Sequence, residues 1–338
     1  MKSRQVIRRV PGHLLLLIFA AALLLSNSPA HAACESLQGT FLQLTNAQLA
    51  RPLSDWQQLI DELRSIGISN LFLQWTVSDR KALFPTVHFE TVPKTPLPYI
   101  LNLASRYGMQ VWIGLATDSN YWDEIKQGPD LLRTYFRNRV RDLSAFLDDL
   151  NTAIADAPFA GWYIADEIDD QTWLGPDKRV VLKQYLAETV KLAKSRRPAS
   201  KVAISGFSNS FADPDLLASF WAEVIESCGI DLLLFQDGIG EGKVAIENIP
   251  LYYEPLNVAV RRVGARLGAV VELFSLMPSG QRVPAMISRI REQITEASRL
   301  TSFPPVAFSV PDYMSNLAGT QAASLLQSFR STRMRCRG

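Results

Sequence analysis

The chain has 338 residues, 47% of them hydrophobic, with 35 Lys and Arg against 33 Asp and Glu and a formal net charge of +2. That length and apolar content suffice to bury a large core, and the near-neutral charge gives no reason to expect nucleic acid or an anionic membrane surface as partner.

The N-terminus is expected to lie outside the fold. Lys2, Arg4, Arg8 and Arg9 precede an apolar run from Leu14 to Leu25, and Ala30-His31-Ala32 supplies small residues for cleavage. This is the pattern of a secretory signal peptide over residues 1–32, cleaved after Ala32, with a run too short for a comfortable membrane span. Cys34 follows closely, but His31 stands where a lipobox takes Leu, so cleavage rather than lipidation is expected. Removing the four basic side chains of the signal turns the net charge to −2. An exported protein without a stable membrane anchor follows, periplasmic or extracellular.

Cysteine use fits export. Cys34 and Cys336 stand at the two ends of the mature chain, and in a closed barrel the first and last elements are neighbours, so they are expected to form a disulfide. Cys228, just before an apolar strand, is expected to be a buried free thiol. Three scattered cysteines make no zinc site, and neither metal nor cofactor is expected.

From Gly39 onward, strand and helix patterns alternate. Strands are expected at 39–44, 70–75, 111–115, 161–167, 201–205, 231–236, 269–274 and 306–310. Helices are expected at 53–66, 97–107, 131–155, 177–195, 214–227, 255–267, 283–299 and 320–331. Tyr252-Tyr253-Glu254 is expected in loop packing ahead of the helix at Pro255. Eight βα units in roughly 300 residues match the size of an eightfold barrel. No glycine-rich dinucleotide loop follows a strand, which disfavours a doubly wound nucleotide binder. The fold class is therefore α/β, a single (β/α)8 TIM barrel over residues 33–338, expected to be a monomer.

In such a barrel the chemistry sits at the C-terminal strand ends. The strand Gly161-Trp162-Tyr163-Ile164-Ala165-Asp166-Glu167 ends in acid, and so does Val270-Val271-Glu272. Period-two alternation puts Glu167 on the face of Tyr163 and Ala165, Glu272 with Val270, Gln236 with Leu234, Gln74 with Phe72, and Gln43 with Phe41. Each strand then reads apolar below and polar at the mouth. Acids after a strand also suit the N-terminus of a following helix, and Asp169 and Asp170 are read that way, as solvated charges. Glu272 is harder to explain so, because a lone acid in an apolar run is costly unless it faces a polar mouth.

The residue inventory narrows the chemistry. His88 is the only histidine after residue 32, so a Ser-His-Asp triad or a histidine metal site would rest on one loop residue. What remains is carboxylates, amides and aromatics: Glu167 and Glu272 as a catalytic pair, with Gln43, Gln74, Asp118, Trp122, Asp166, Gln236, Asp237, Asp312 and Tyr313 as substrate contacts. Paired carboxylates and flat rings are what glycoside hydrolysis requires, so a polysaccharide or oligosaccharide is the expected partner.

These residues also carry a resemblance. A barrel with Glu ending strands four and seven resembles the large retaining glycosidase clan. More closely, the chain resembles an uncharacterised bacterial domain-of-unknown-function family of exported glycosidase-like barrels. Four segments carry that likeness: Gly39 to Gln43, Leu71 to Thr76, Gly161-Trp162-Tyr163 with Glu167-Ile168, and Phe235 to Gly240. The clan resemblance implies Glu167 as general acid/base and Glu272 as nucleophile, held by donors such as Gln236 or Tyr313. Asp166 departs from the clan, whose members usually carry Asn there to hold the sugar 2-hydroxyl; its charge is expected to raise the pKa of Glu167. Two other classes stand beside the hydrolase: a non-catalytic carbohydrate-binding or exopolysaccharide-assembly protein on a glycosidase-like barrel, and a non-sugar hydrolase with a carboxylate base.

Overall fold

Eight parallel strands pair in chain order, and the last closes on the first. In a computed structural model that describes residues 36–335, the strands are β1 (Gly39–Leu42), β2 (Asn70–Leu73), β3 (Gln110–Gly114) and β4 (Phe159–Asp169). β5 (Lys201–Phe207), β6 (Leu232–Gln236), β7 (Arg266–Glu272) and β8 (Phe303–Phe308) complete the ring. Closure is set by the pairing of Gly39 and Thr40 with Val306 and Ala307. The signal peptide at 1–32, its cleavage after Ala32 and the Cys34–Cys336 disulfide lie outside the described residues.

Helices follow the strands: α1 (Leu53–Ser65), α2 (Leu97–Arg106), α3 (Pro129–Ala153), α4 (Pro176–Arg196), α5 (Pro214–Cys228), α6 (Ile249–Arg262), α7 (Ile287–Leu300) and α8 (Thr320–Arg335). Proline near the first turn of α3, α4, α5 and α6 suits a position whose N–H has no intrahelical partner. No helix among the described residues is long and apolar enough to cross a membrane.

Two apolar layers hold the barrel. Phe41, Phe72, Trp112, Tyr163, Leu234, Val270 and Val306 fill its interior, while Trp162, Ile164, Leu233 and Phe235 pack outward against the helices. Inside, Phe72 and Trp112 stack with centroids 5.4 Å apart. Each such side chain, fully buried, contributes about 1.5–3 kcal/mol. Gly161 makes room for this packing, since a Cβ there would stand 2.5 Å from the Trp112 ring.

Two expectations change. Helix α6 starts at Ile249 and runs through Pro255, so Tyr252 to Glu254 are helical rather than loop. Pro250, not Pro255, occupies the first turn, and Arg266 to Gly268 belong to the next strand. Tyr253 is buried and donates its hydroxyl to the Phe235 carbonyl at 2.7 Å. Asp169 and Asp170 are buried, not solvated. Asp170 accepts from the Ser208 hydroxyl at 2.7 Å and from the amides of Asn209, Phe211 and Ala212 at 2.8–3.1 Å. Asp169 caps the turn through the amides of Gln171 and Thr172. Both carboxylates fasten loops at the barrel mouth. Cys228 is a buried free cysteine, its thiol pushed up to about 11 chiefly by burial.

Candidate active site

The C-terminal strand ends open on one cavity of about 730 Å³, within the usual size range of small-molecule sites. Glu167 and Glu272 both line it, with Gln43, Gln74, Asp118, Trp122, Asp166, Gln236 and Tyr313. Among the described residues no group of His, Cys, Asp or Glu is arranged to hold a metal ion.

Strand alternation explains how the two acids arrive. In β4, Tyr163 and Ala165 point into the barrel and Ile164 and Ile168 pack outward, so Glu167 emerges inward at the mouth. A bulge carries it there: Ile164 pairs with Ile204, yet Glu167 pairs with the next residue, Ser205. Extra residues of this kind at barrel rims re-aim side chains. Glu272 ends β7 above Val270 and pairs with Phe308, which also lines the cavity.

Each acid has its own support. Gln236 donates from Nε2 to Glu167 Oε1 at 2.8 Å, and the Tyr121 hydroxyl donates to the Glu167 carbonyl at 2.7 Å. Glu272 is held by the backbone instead: the Glu241 amide donates to its Oε2 at 2.9 Å. Gln236 therefore supports the acid of strand four rather than that of strand seven.

Glycine makes the backbone contact to Glu272 possible. A Cβ on Gly240 would stand 2.5 Å from the Phe274 carbonyl oxygen and 2.8 Å from Glu272 Oε2. Gly238 and Gly242 flank it at φ of +65° and +70°, in the left-handed region that glycine enters freely. The run Gly238-Ile239-Gly240-Glu241-Gly242-Lys243 thus folds the β6–α6 loop against Glu272.

Electrostatics sets both acids apart from surface carboxylates. Burial pushes the Glu167 pKa up, opposed by the Gln236 hydrogen bond and the charge of Lys243. Burial also raises that of Glu272, reinforced by the charge of Asp237. Asp237 is itself raised, again chiefly by burial. Asp166 does not shift Glu167 as the sequence suggested. Its oxygens face the helices, one paired with Arg139 of α3 at 2.8 Å and the other accepting from the Tyr185 hydroxyl of α4. A charge paired at that distance projects little field across the barrel mouth.

The remaining sequence candidates divide. Gln43 donates to Gln74 at 2.7 Å across the β1 and β2 ends, a paired amide edge on the cavity. Asp118 accepts from the Tyr135 hydroxyl and from the Asn120 amide, each at 2.9 Å, while its side chain stays partly exposed on the cavity. Trp122 is 42% exposed and tilts against Phe207. The Tyr313 ring lies 5.1 Å from that of Phe274. Asp237 and Asp312 do not line the cavity. Asp237 accepts from Gln293 of α7 at 2.6 Å, and Asp312 accepts from Gln48 at 2.8 Å and from the Ser309 hydroxyl.

Sequence reasoning missed Phe207, Asn209, Glu241, Lys243 and Arg282, all on the cavity wall. Arg282 reaches it from a short antiparallel ribbon, Phe274–Leu276 with Arg282–Pro284, and pairs with Glu241 at 2.6 Å. The signal for Glu241 and Lys243 was the alternating glycine run after β6.

Comparison with known proteins agrees with this architecture. The chain is 28% identical over 257 residues to the uncharacterized protein YbcH of Escherichia coli K12, covering 76% of this chain and 82% of that protein. A crystal structure described as a "putative alpha-L-fucosidase" from Bacteroides thetaiotaomicron superposes with a TM-score of 0.74 at 17% identity, covering 88% and 95% of the two chains. A GH18 chitinase from Pseudoalteromonas aurantia gives 0.56 at 13% identity, covering 88% and 100%. At such identities these two establish a shared, glycosidase-like barrel fold. The family described as a domain of unknown function (DUF4434) matches residues 37–319, and the chain belongs to that family.

Proposed function

We propose that the protein is an exported glycoside hydrolase acting on a polysaccharide or oligosaccharide through Glu167 and Glu272. The carrying observation is that these two acids, on β4 and β7, open on one cavity beside amides and an exposed tryptophan. Glu167 donates a proton to the leaving glycosidic oxygen while the Glu272 carboxylate attacks the anomeric carbon. Glu167 then takes a proton from the water that releases the sugar. Burial keeps Glu167 protonated above the ordinary carboxylate range, as an acid of this kind requires. The amides of the β6–α6 loop favour the ionised form of Glu272, but burial and the charge of Asp237 outweigh them and push it up to about 8, so Glu272 must lose its proton before it attacks.

Gln43, Gln74, Asp118, Trp122, Gln236 and Tyr313 contact the sugar. Asp166, Asp237 and Asp312 act from behind, holding the strand ends and loops that carry those contacts. Export depends on residues 1–32, and the mature protein begins after Ala32.

The test is a broad glycan panel with release of reducing ends as the readout. Wild type should cleave at least one glycan, and Glu167→Gln and Glu272→Gln should each lower kcat/KM by about 10²–10⁴-fold while still binding it. Tight binding without cleavage by wild type would defeat the hydrolase reading.

A further inference from the structure

One wall of the cavity carries groups that transfer no proton, although the charge of one of them, Lys243, lowers the Glu167 pKa. Trp122, Phe207, Asn209 and Lys243 come together there from the loop after β3, the end of β5 and the loop after β6. Trp122 and Phe207 lie with ring centroids 6.0 Å apart at 52°. Lys243 Nζ stands 3.8 Å from the Phe207 centroid. The position is built rather than incidental: the Ser210 hydroxyl donates to the Lys243 carbonyl at 2.7 Å, and the Lys243 amide donates to the Gly238 carbonyl at 2.8 Å.

The cations at this mouth differ in how they are engaged. Arg282 is paired with Glu241 at 2.6 Å and Arg139 with Asp166 at 2.8 Å. Among the described residues no carboxylate lies within ion-pair distance of Lys243. The nearby acids are largely engaged elsewhere: Glu241 by Arg282, Asp169 by the amides of Gln171 and Thr172. Lys243 is therefore a positive charge in no ion pair among the described residues, beside an exposed tryptophan and close enough to Glu167 to lower its pKa.

We propose that this wall is a subsite for a sugar unit bearing an anionic substituent, a uronate carboxylate or a sulfate ester, whose charge pairs with Lys243 while Trp122 covers the ring. Asn209 supplies a hydroxyl partner beside it. The proposal rests on the carbohydrate reading of the same cavity and adds the charge of the substrate. A neutral glycan can offer the ammonium group only a hydroxyl oxygen, whereas an anionic substituent adds the attraction of opposite charges to the hydrogen bond.

Binding to the full protein carrying Glu272→Gln separates this from turnover. The probes are oligogalacturonides with their methyl esters, and sulfated with unsulfated galactan oligosaccharides. The charged member of at least one pair should bind about tenfold or more tightly than its neutral counterpart. Which pair responds distinguishes carboxylate from sulfate. Lys243→Met, which keeps the apolar stem over Phe207, should abolish the preference without weakening the neutral glycan, and Lys243→Arg should retain it. Equal affinity within both pairs, no binding to either, or equal weakening by Lys243→Met overturns the subsite. Cleavage of a neutral glycan by wild type would then leave the hydrolase reading intact. Charge-selective binding without cleavage would sustain the subsite and remove the hydrolase.

Discussion

Gln236 Nε2 donates to Glu167 Oε1 at 2.8 Å, so the end of β6 holds the acid that ends β4. The bond favours the ionised carboxylate and opposes the upward pull of burial. Replacing Gln236 by Met should raise the Glu167 pKa further. If Glu167 is the general acid, the alkaline limb of kcat/KM moves to higher pH, because the protonated form persists longer. Loss of orientation should also lower the optimum by about tenfold to 10²-fold. A pH–rate profile of Gln236→Met that keeps the wild-type alkaline limb would contradict this role for Glu167.

Gly240→Ala tests the loop that supports Glu272. The added methyl meets the Phe274 backbone carbonyl at 2.5 Å and the Glu272 carboxylate at 2.8 Å; the carbonyl cannot yield cheaply, and the carboxylate can yield only by leaving its place. The loop must retreat and carry the Glu241 amide away from Glu272. Overpacking of this kind costs about 1–3 kcal/mol of stability, which a barrel of this size tolerates. Activity should fall about 10²-fold or more with the circular dichroism spectrum unchanged. Wild-type activity in Gly240→Ala would show that the amide contact is dispensable.

Asp170→Ala should destabilise the protein without touching substrate. Asp170 is fully buried and accepts four hydrogen bonds from the segment Ser208 to Ala212. Removing the acceptor strands several donors at once, at about 1–3 kcal/mol each where water cannot replace it. A loss of at least about 3 kcal/mol in urea unfolding is expected. A loss under about 1 kcal/mol would mean that water takes over those donors.

What the sequence revealed and what it hid follow from range. The strands were legible because period-two alternation is local: Phe41 with Gln43, Phe72 with Gln74 and Val270 with Glu272 each place an apolar residue in the barrel and a polar one on the cavity. Helix α6 was misplaced because two prolines, Pro250 and Pro255, competed as its start and only packing decides between them. Asp169 and Asp170 were read as solvated because the donors that bury Asp170 lie 38 to 42 residues away. The glycine run marked a bent loop but not where Lys243 would end up, and nothing local marked Arg282. They reach the cavity on a glycine-bent loop and a small ribbon whose paths depend on tertiary packing.

Glu272→Gln should make the protein more stable at neutral pH even as it removes activity. Burial, then the charge of Asp237, holds the Glu272 pKa above its ordinary value in the folded state. The folded protein therefore binds more protons than the unfolded chain above the ordinary carboxylate pKa of about 4.3, and its stability falls as pH rises through that window. Glutamine carries no such penalty, and the amide oxygen can still accept from the Glu241 amide. The stability gain of Glu272→Gln should grow as pH rises toward about 8, where the folded-state carboxyl loses its proton, and shrink toward zero as pH falls to about 4, where the glutamate is largely protonated in both states. Thermal or urea midpoints measured from pH 4 to 8 read this directly. A variant less stable than wild type at pH 7, or a difference that does not change with pH, would mean that the Glu272 charge is well compensated in the folded protein.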